Sequence, residues 1–308
     1  MLVTLTEILE LAEAKKNAVG SFNTPNLESI MAVIGAAEEL NVPVIIMHAE
    51  VHESMMPIDV IGPIMVERAK AAKVPVCVHL DHGENLSYLV KALNLGFTSV
   101  MFDGSSLSYE ENVANTRLAV KFAHAKGASV EAEIGVLGKR ELGPGHDKIE
   151  NQPEEIYTDP ELAARFVKET GIDALACSFG TAHGIYLKKP KLDMTVLERV
   201  KQRVDIPLVM HGGSGVSEED YRKVIARGVR KINYYTYMAK AGGSGVEEKL
   251  SFQTMPITSK GKQYKMLYLL EEEGKEVPID DHDIVDWGMK AMKKNALDAM
   301  KIFAGKQE

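Results

Sequence analysis

The chain has 308 residues, with 36 Lys and Arg against 44 Asp and Glu for a formal charge of −8. Lacking a basic block, it has no electrostatic footprint for nucleic acid or an anionic membrane, so small-molecule chemistry moves forward. With 45% hydrophobic residues it can bury a large core, and its length suits two domains of about 150 residues or one α/β barrel of about 250 with insertions.

The opening stretch MLVTLTEILELAEAKKNAVG spaces its leucines as a helix does and has no continuous apolar signal-peptide core. No apolar run approaches the roughly 20 residues that cross a bilayer. Short β-branched runs then alternate with stretches of helical period. Strands are predicted at AVGSFN, VPVIIMH, VPVCVHL, FTSVMF, ASVEAEI, IDALACSF, IPLVMH and RKINYY, with amphipathic helices between them. Gly96, Gly127, Gly171 and Gly228 stand where helical runs stop. Eight strand–helix units recurring about every 30 residues predict one closed (β/α)8 barrel, a TIM barrel, over 1–308. Cys77 and Cys177 lie inside apolar strands and read as reduced core thiols, which makes the cytoplasm the expected compartment.

Two stretches depart from the repeat. Residues 136–158 are Gly-, Pro- and Glu-rich and are expected to form an active-site loop. Residues 242–283 open with GGSG, which reads as a flexible linker, and form an atypical insertion before a C-terminal helix around Ile284–Phe303.

In a barrel of this kind the chemistry sits at the carboxyl ends of the strands. Those ends carry Asn23, His48, Asp81, His82, Asp103, Glu133, His183, His211 and Asn233. Apolar strands that repeatedly finish in polar groups point to a shared site, because an unpaired buried polar group costs about 1–3 kcal/mol. His82, His183 and His211 make three imidazoles at one rim, the donor set of a catalytic zinc with an open fourth position. Glu133 is an additional or alternative ligand, and Glu131 a supporting partner. His79 is expected one layer below. His48 and His52 are candidate substrate contacts near the mouth. HGGSGVSEED after the seventh strand offers backbone N–H groups for a phosphate, with Asn233 and Thr236 beside it.

At this point the chain resembles the class II, metal-dependent ketose-bisphosphate aldolases that act on fructose and tagatose bisphosphates. The resemblance is carried by GSFN (20–23), PVCVHLDHG (75–83), GFTSVMFDGS (96–105), VEAEIGVLGKRE (130–141), GTAHGIY (180–186), PLVMHGGSG (207–215) and KIN (231–233). It implies Zn2+ on His82, His183 and His211 with Glu133 as an alternative ligand, and Asp81 as the acid/base at the C4 hydroxyl. It implies Glu141 as the group exchanging the C3 proton of the dihydroxyacetone phosphate unit. Asn23, Gly184, Gly212, Gly213, Ser214, Asn233 and Thr236 would hold that unit, in some members with Na+ or K+. A zinc Lewis acid would stabilise the enediolate without a Schiff-base lysine.

The departures lie on the aldehyde side. The serine expected after strand 2 is Ala49, and strand 8 reads NYYTYMA, placing Tyr235 and Ala239 where the family carries an Asp and an Arg. The expected phosphate-binding lysine is Leu187, with Lys188 adjacent. His48, His52, Tyr235 and Lys188 are thus the candidate aldehyde-side contacts. The expected reaction is reversible retro-aldol cleavage of a ketose 1-phosphate or 1,6-bisphosphate. The alternatives are an aldolase for a non-standard ketose phosphate such as a sulfo-sugar phosphate, or a sugar-phosphate-binding protein with a degenerate site. A small-molecule sugar phosphate is the expected partner, and the family implies a homodimer or homotetramer.

Overall fold

The computed structural model describes residues 1–134, 157–181, 184, 190–249, 255–259, 262–266, 269–270, 276–277 and 281–306. Eight parallel strands close on themselves: β1 (Val19–Asn23), β2 (Val44–Ala49), β3 (Val76–Gly83), β4 (Ser99–Phe102), β5 (Ser129–Ile134), β6 (Ala174–Cys177), β7 (Leu208–Met210) and β8 (Val229–Asn233). β8 returns to pair with β1 through Val19–Lys231, Gly20–Ile232 and Ser21–Asn233, so the predicted (β/α)8 barrel is the observed fold.

The strands read as near-continuous apolar runs because both faces are covered. Outward residues such as Val44, Ile46, Val76 and Val78 pack in one cluster with the helices. Inward residues such as Ile45, Cys77, Ala174 and Val209 pack with Leu5, Ile8 and Leu9 of the first helix, α1 (Leu5–Lys15), which closes the amino-terminal end. Local signals agree with this plan. α1 begins at a Thr4–Glu7 capping box, and the helix Pro160–Thr170 ends at Gly171, whose φ of +74° places it in the left-handed region.

Two sequence expectations are corrected at the C-terminal end. GGSG is not a linker: residues 242–245 lie inside a helix, Thr236–Lys249. Its glycines admit a neighbour, since a Cβ on Gly242 would sit 2.9 Å from Met292 Cγ on the terminal helix. That close crossing offsets the roughly 1 kcal/mol that glycine costs in a helix interior. The terminal helix is also longer than expected, Asp281–Phe303. Between them Met255–Ser259 and Lys262–Met266 form an antiparallel pair. Among the described residues no helix is long and apolar enough to cross a membrane. Cys77 and Cys177 are buried and free.

Candidate active site

The carboxyl ends of the strands surround a cavity of about 240 Å³, scaled to a small metabolite. Asn23, Asp81, His82, Glu133, Gly184, Gly212, Gly213, Ser214, Asn233, Tyr235 and Thr236 all line it, as the sequence reading expected. His183, Glu141 and Lys188 lie outside the described residues.

β3 does the most to build the site. Strict alternation would point Asp81 and His82 to opposite faces, yet both line the cavity. The register on β4 shifts between Leu80 and Gly83, and His82 takes a φ of +45°, a conformation that costs of order 1 kcal/mol or more for a residue with a Cβ. The irregularity turns neighbouring acid and imidazole toward one point.

His82 Nε2 and His211 Nδ1 face each other at 2.9 Å. The other ring nitrogen of each is bound to a carboxylate: His82 Nδ1 to Asp103 Oδ2 at 2.7 Å, and His211 Nε2 to Glu131 Oε1 at 2.8 Å. A carboxylate holding the outer N–H leaves the inner nitrogen as a lone-pair donor, the orientation found in carboxylate–histidine–metal arrangements. Donor atoms of Asp81, His82 and His211 lie within 4.8 Å of one another, as do those of His82, Asp103 and Glu133. The electrostatics ask for positive charge here. Burial alone would push His82 down, but Asp81 and Asp103 outweigh it and hold the ring up at about 10. The donor set therefore fits a divalent, borderline-soft ion such as Zn2+. Asp103, at the end of β4, and Lys231, in the barrel lumen, were not assigned roles from the sequence. The strand-end position marked the first, and the KIN motif contained the second.

Asp81 is 3% exposed, and both of its oxygens accept hydrogen bonds, from Asn23 Nδ2 and Asn233 Nδ2, each at 3.2 Å. Burial would raise its pKa, but the positive charges of His82, His211 and Lys231, together with the Asn23 amide, bring it down to about 2. Asp81 is thus an oriented carboxylate able to accept a proton.

Joined to Asp81 through Asn233 lies a backbone cradle. Gly213 N–H donates to Asn233 O at 3.0 Å, and a Cβ at Gly213 would stand 2.6 Å from that oxygen, so only glycine allows the loop this close to β8. Ser214 Oγ accepts from Tyr235 N at 3.0 Å. The helix expected to start at SEED does start there, Glu218–Ala226, with Ser217 as its N-cap accepting from Asp220 N. Thr236, also expected here and the first residue of the Thr236–Lys249 helix, lines the cavity and brings the positive end of a helix dipole to it.

Ala49, Val51, Glu84 and Tyr235 also line the cavity, and the described lining as a whole has no Lys or Arg. His52 packs its ring against Tyr235 with centroids 5.5 Å apart. His48 is not among the lining residues. It shares strand parity with the outward Ile46, is fully buried, and lies 3.0 Å from Tyr88 Oη through Nε2. Tyr88 donates its hydroxyl proton to Glu53 at 2.6 Å, so His48 Nε2 must be the donor to Tyr88. Burial, reinforced by the charge of His52, pushes His48 down to about 4.

Fold and site together define a barrel enzyme with a metal-type donor set at its carboxyl rim. The family model described as fructose-bisphosphate aldolase class-II matches residues 3–308. The chain is 36% identical to YdjI of Escherichia coli K12 over 303 residues, covering 96% of each chain. It is 40% identical to a probable fructose-bisphosphate aldolase of Bacillus subtilis strain 168 over 254 residues, covering 81% of this chain and 87% of the relative. A crystal structure of the Escherichia coli YdjI aldolase superposes with a TM-score of 0.78 at 32% identity, covering 98% of this chain and 97% of that one. The fructose-bisphosphate aldolase of Campylobacter jejuni superposes with a TM-score of 0.72 at 25% identity, covering 98% and 95%. The chain belongs to the class II fructose-bisphosphate aldolase family, whose members are aldehyde-lyases and are in general zinc-dependent.

Proposed function

We propose that the enzyme reversibly cleaves a ketose 1-phosphate to dihydroxyacetone phosphate and an aldehyde that carries no phosphate at its far end. The observation that carries this reading is the meeting of paired, carboxylate-oriented imidazoles, the Asp81 carboxylate and a glycine cradle at one cavity, whose lining also holds Ala49 and Tyr235 at the positions where the family carries a serine and an aspartate. His82 and His211, with His183 as the expected third ligand, would hold Zn2+, whose Lewis acidity would draw charge from the substrate carbonyl and its neighbouring oxygen.

Asp81 Oδ accepts the C4 hydroxyl proton as the C3–C4 bond breaks, and C4 leaves as the aldehyde carbonyl. The bonding electron pair stays with the three-carbon unit, which takes a proton at C3, a step expected of Glu141. In the reverse direction Asp81 returns its proton to the new C4 oxygen. Asn23 and Asn233 fix both Asp81 oxygens throughout. Gly212, Gly213, Ser214 and the first turn at Thr236 receive the phosphate. Tyr235, backed by His52, presents a ring and a hydroxyl to the rest of the sugar. A homodimer or homotetramer, a cytoplasmic setting and a Na+ or K+ ion beside the phosphate belong to the same reading. Sedimentation and the potassium dependence of rate test the assembly and the ion.

Exchange of the dihydroxyacetone phosphate C3 proton in D2O, followed by NMR with and without a chelator, tests the reading. Chelator-sensitive exchange is expected. A zinc-loaded enzyme that exchanges no proton would contradict it.

A further inference from the structure

Beneath the site, in the barrel lumen, lies a polar layer that the reaction as described does not use. Lys231, Glu131 and His79 are each completely buried. Lys231 Nζ lies 2.8 Å from Glu131 Oε2, and the other Glu131 oxygen, Oε1, lies 2.8 Å from His211 Nε2. His79 Nε2 comes within 3.7 Å of Glu131 Oε2 and holds Ser99 through its other nitrogen at 2.7 Å. Deeper still, the lumen is apolar, with Ile45, Cys77, Ala174 and Val209 packed on Leu5 and Ile8. A buried ion pair is a poor way to fill that space for stability alone, because its desolvation cancels most of its attraction and apolar residues of similar volume do as well or better.

We propose that Lys231 is a positioning residue for the metal site, acting on His211 through Glu131. The two carboxylates that orient the imidazoles are supported differently. Asp103 is held at the rim by the backbone N–H and hydroxyl of Ser105, at 3.1 and 2.6 Å. Glu131 instead has the Lys231 ammonium on one oxygen and His211 on the other. With one oxygen fixed, the second can hold the His211 Nε2 proton in a single direction, which keeps the Nδ1 lone pair aimed at the point that His82 Nε2 also faces. Without Lys231 the carboxylate can rotate toward His79, and His211 loses both its tautomer and its orientation. Lys231 touches no reacting atom in this scheme.

The inference rests on the reading of His211 as a metal ligand, and its test separates the two. Zinc affinity is measured by competition with a chromophoric chelator for the parent, Lys231→Met and Glu131→Gln, alongside the melting temperature of each metal-free protein. The expected result is zinc affinity about 10- to 100-fold weaker in Lys231→Met. The double variant Lys231→Met/Glu131→Gln should lose no more than the worse single variant, because the two residues act in series. Parent-like zinc affinity in folded Lys231→Met would overturn the inference, even with a lowered melting temperature, since that outcome describes a purely structural ion pair. If Lys231→Met does not fold, Glu131→Gln carries the test, and parent-like zinc affinity there overturns it equally. Failure of the parent itself to bind zinc would instead remove the reading of His211.

Discussion

The two sides of the cavity are built from different materials. The side assigned to dihydroxyacetone phosphate is made of backbone and of side chains locked in a network: Gly213 pressed on Asn233 O, Ser214 on Tyr235 N, and Asp81 between two asparagines. The side assigned to the aldehyde comprises Ala49, Val51, Glu84 and the ring of Tyr235, residues that lie among the cavity lining. The first allows little change without moving a strand, whereas the second can be rewritten one residue at a time. A barrel that keeps one chemistry while changing its aldehyde would divide its labour in this way.

The division can be broken at the chemistry itself. Asp81→Ala should lower cleavage turnover by about 10²- to 10⁴-fold, the range for losing a general acid/base, while zinc content measured by elemental analysis stays near the parent's. Retained turnover would remove Asp81 from its role. A smaller effect is expected one shell out: Asp103→Ala frees His82 Nδ1 and should weaken zinc by about 10- to 100-fold in a chelator titration.

The aldehyde side should behave oppositely under the same pair of assays. Tyr235→Ala should lower kcat/KM for cleavage by about 10-fold, the effect of losing on the order of 1.4 kcal/mol of contact, while C3 proton exchange of dihydroxyacetone phosphate stays within about 2-fold. Equal loss in both assays would erase the distinction between the two sides.

The smallest catalytic effect is expected at His48, which packs outside the cavity; His48→Asn should leave cleavage within about 2-fold. Its signature is in stability. The folded imidazole titrates near about 4 and the unfolded one near 6.5, so the unfolded chain binds the extra proton and stability is lost as pH falls through that window. The full effect is on the order of 3 kcal/mol. Urea melts from pH 7 to pH 4 should therefore show a shallower acid slope for His48→Asn than for the parent.

Much of this was legible in the sequence because the barrel imposes a simple grammar. Apolar runs ending in Asn, Asp, Glu or His put the chemistry at strand ends, and of the described residues read as metal ligand, acid/base or phosphate contact all line the cavity except His211, which is fully buried behind His82 and meets it through Nδ1. The misreadings have physical causes. GGSG resembles a linker because the value of glycine in a helix depends on the neighbour it admits, here Met292, and that neighbour is 50 residues away in sequence. His48 was grouped with the mouth on its polarity, although Met47 and Ala49 on either side of it face the cavity and leave it the outward parity. The bulge that turns Asp81 and His82 together has no signature in the letters DHG alone. Lys231 is a lysine in an apolar strand, and its carboxylate partner lies 100 residues earlier.

The most direct measurement is initial-rate aldol cleavage of fructose 1-phosphate, a sulfonated ketose 1-phosphate, fructose 1,6-bisphosphate and tagatose 1,6-bisphosphate, each with zinc and with chelator. Chelator-sensitive release of dihydroxyacetone phosphate, with kcat/KM higher for a substrate lacking the second phosphate, is the predicted result. A bisphosphate preference of 10-fold or more would contradict the assignment of the aldehyde side, and no release from any zinc-loaded reaction would contradict the proposed cleavage of a ketose 1-phosphate.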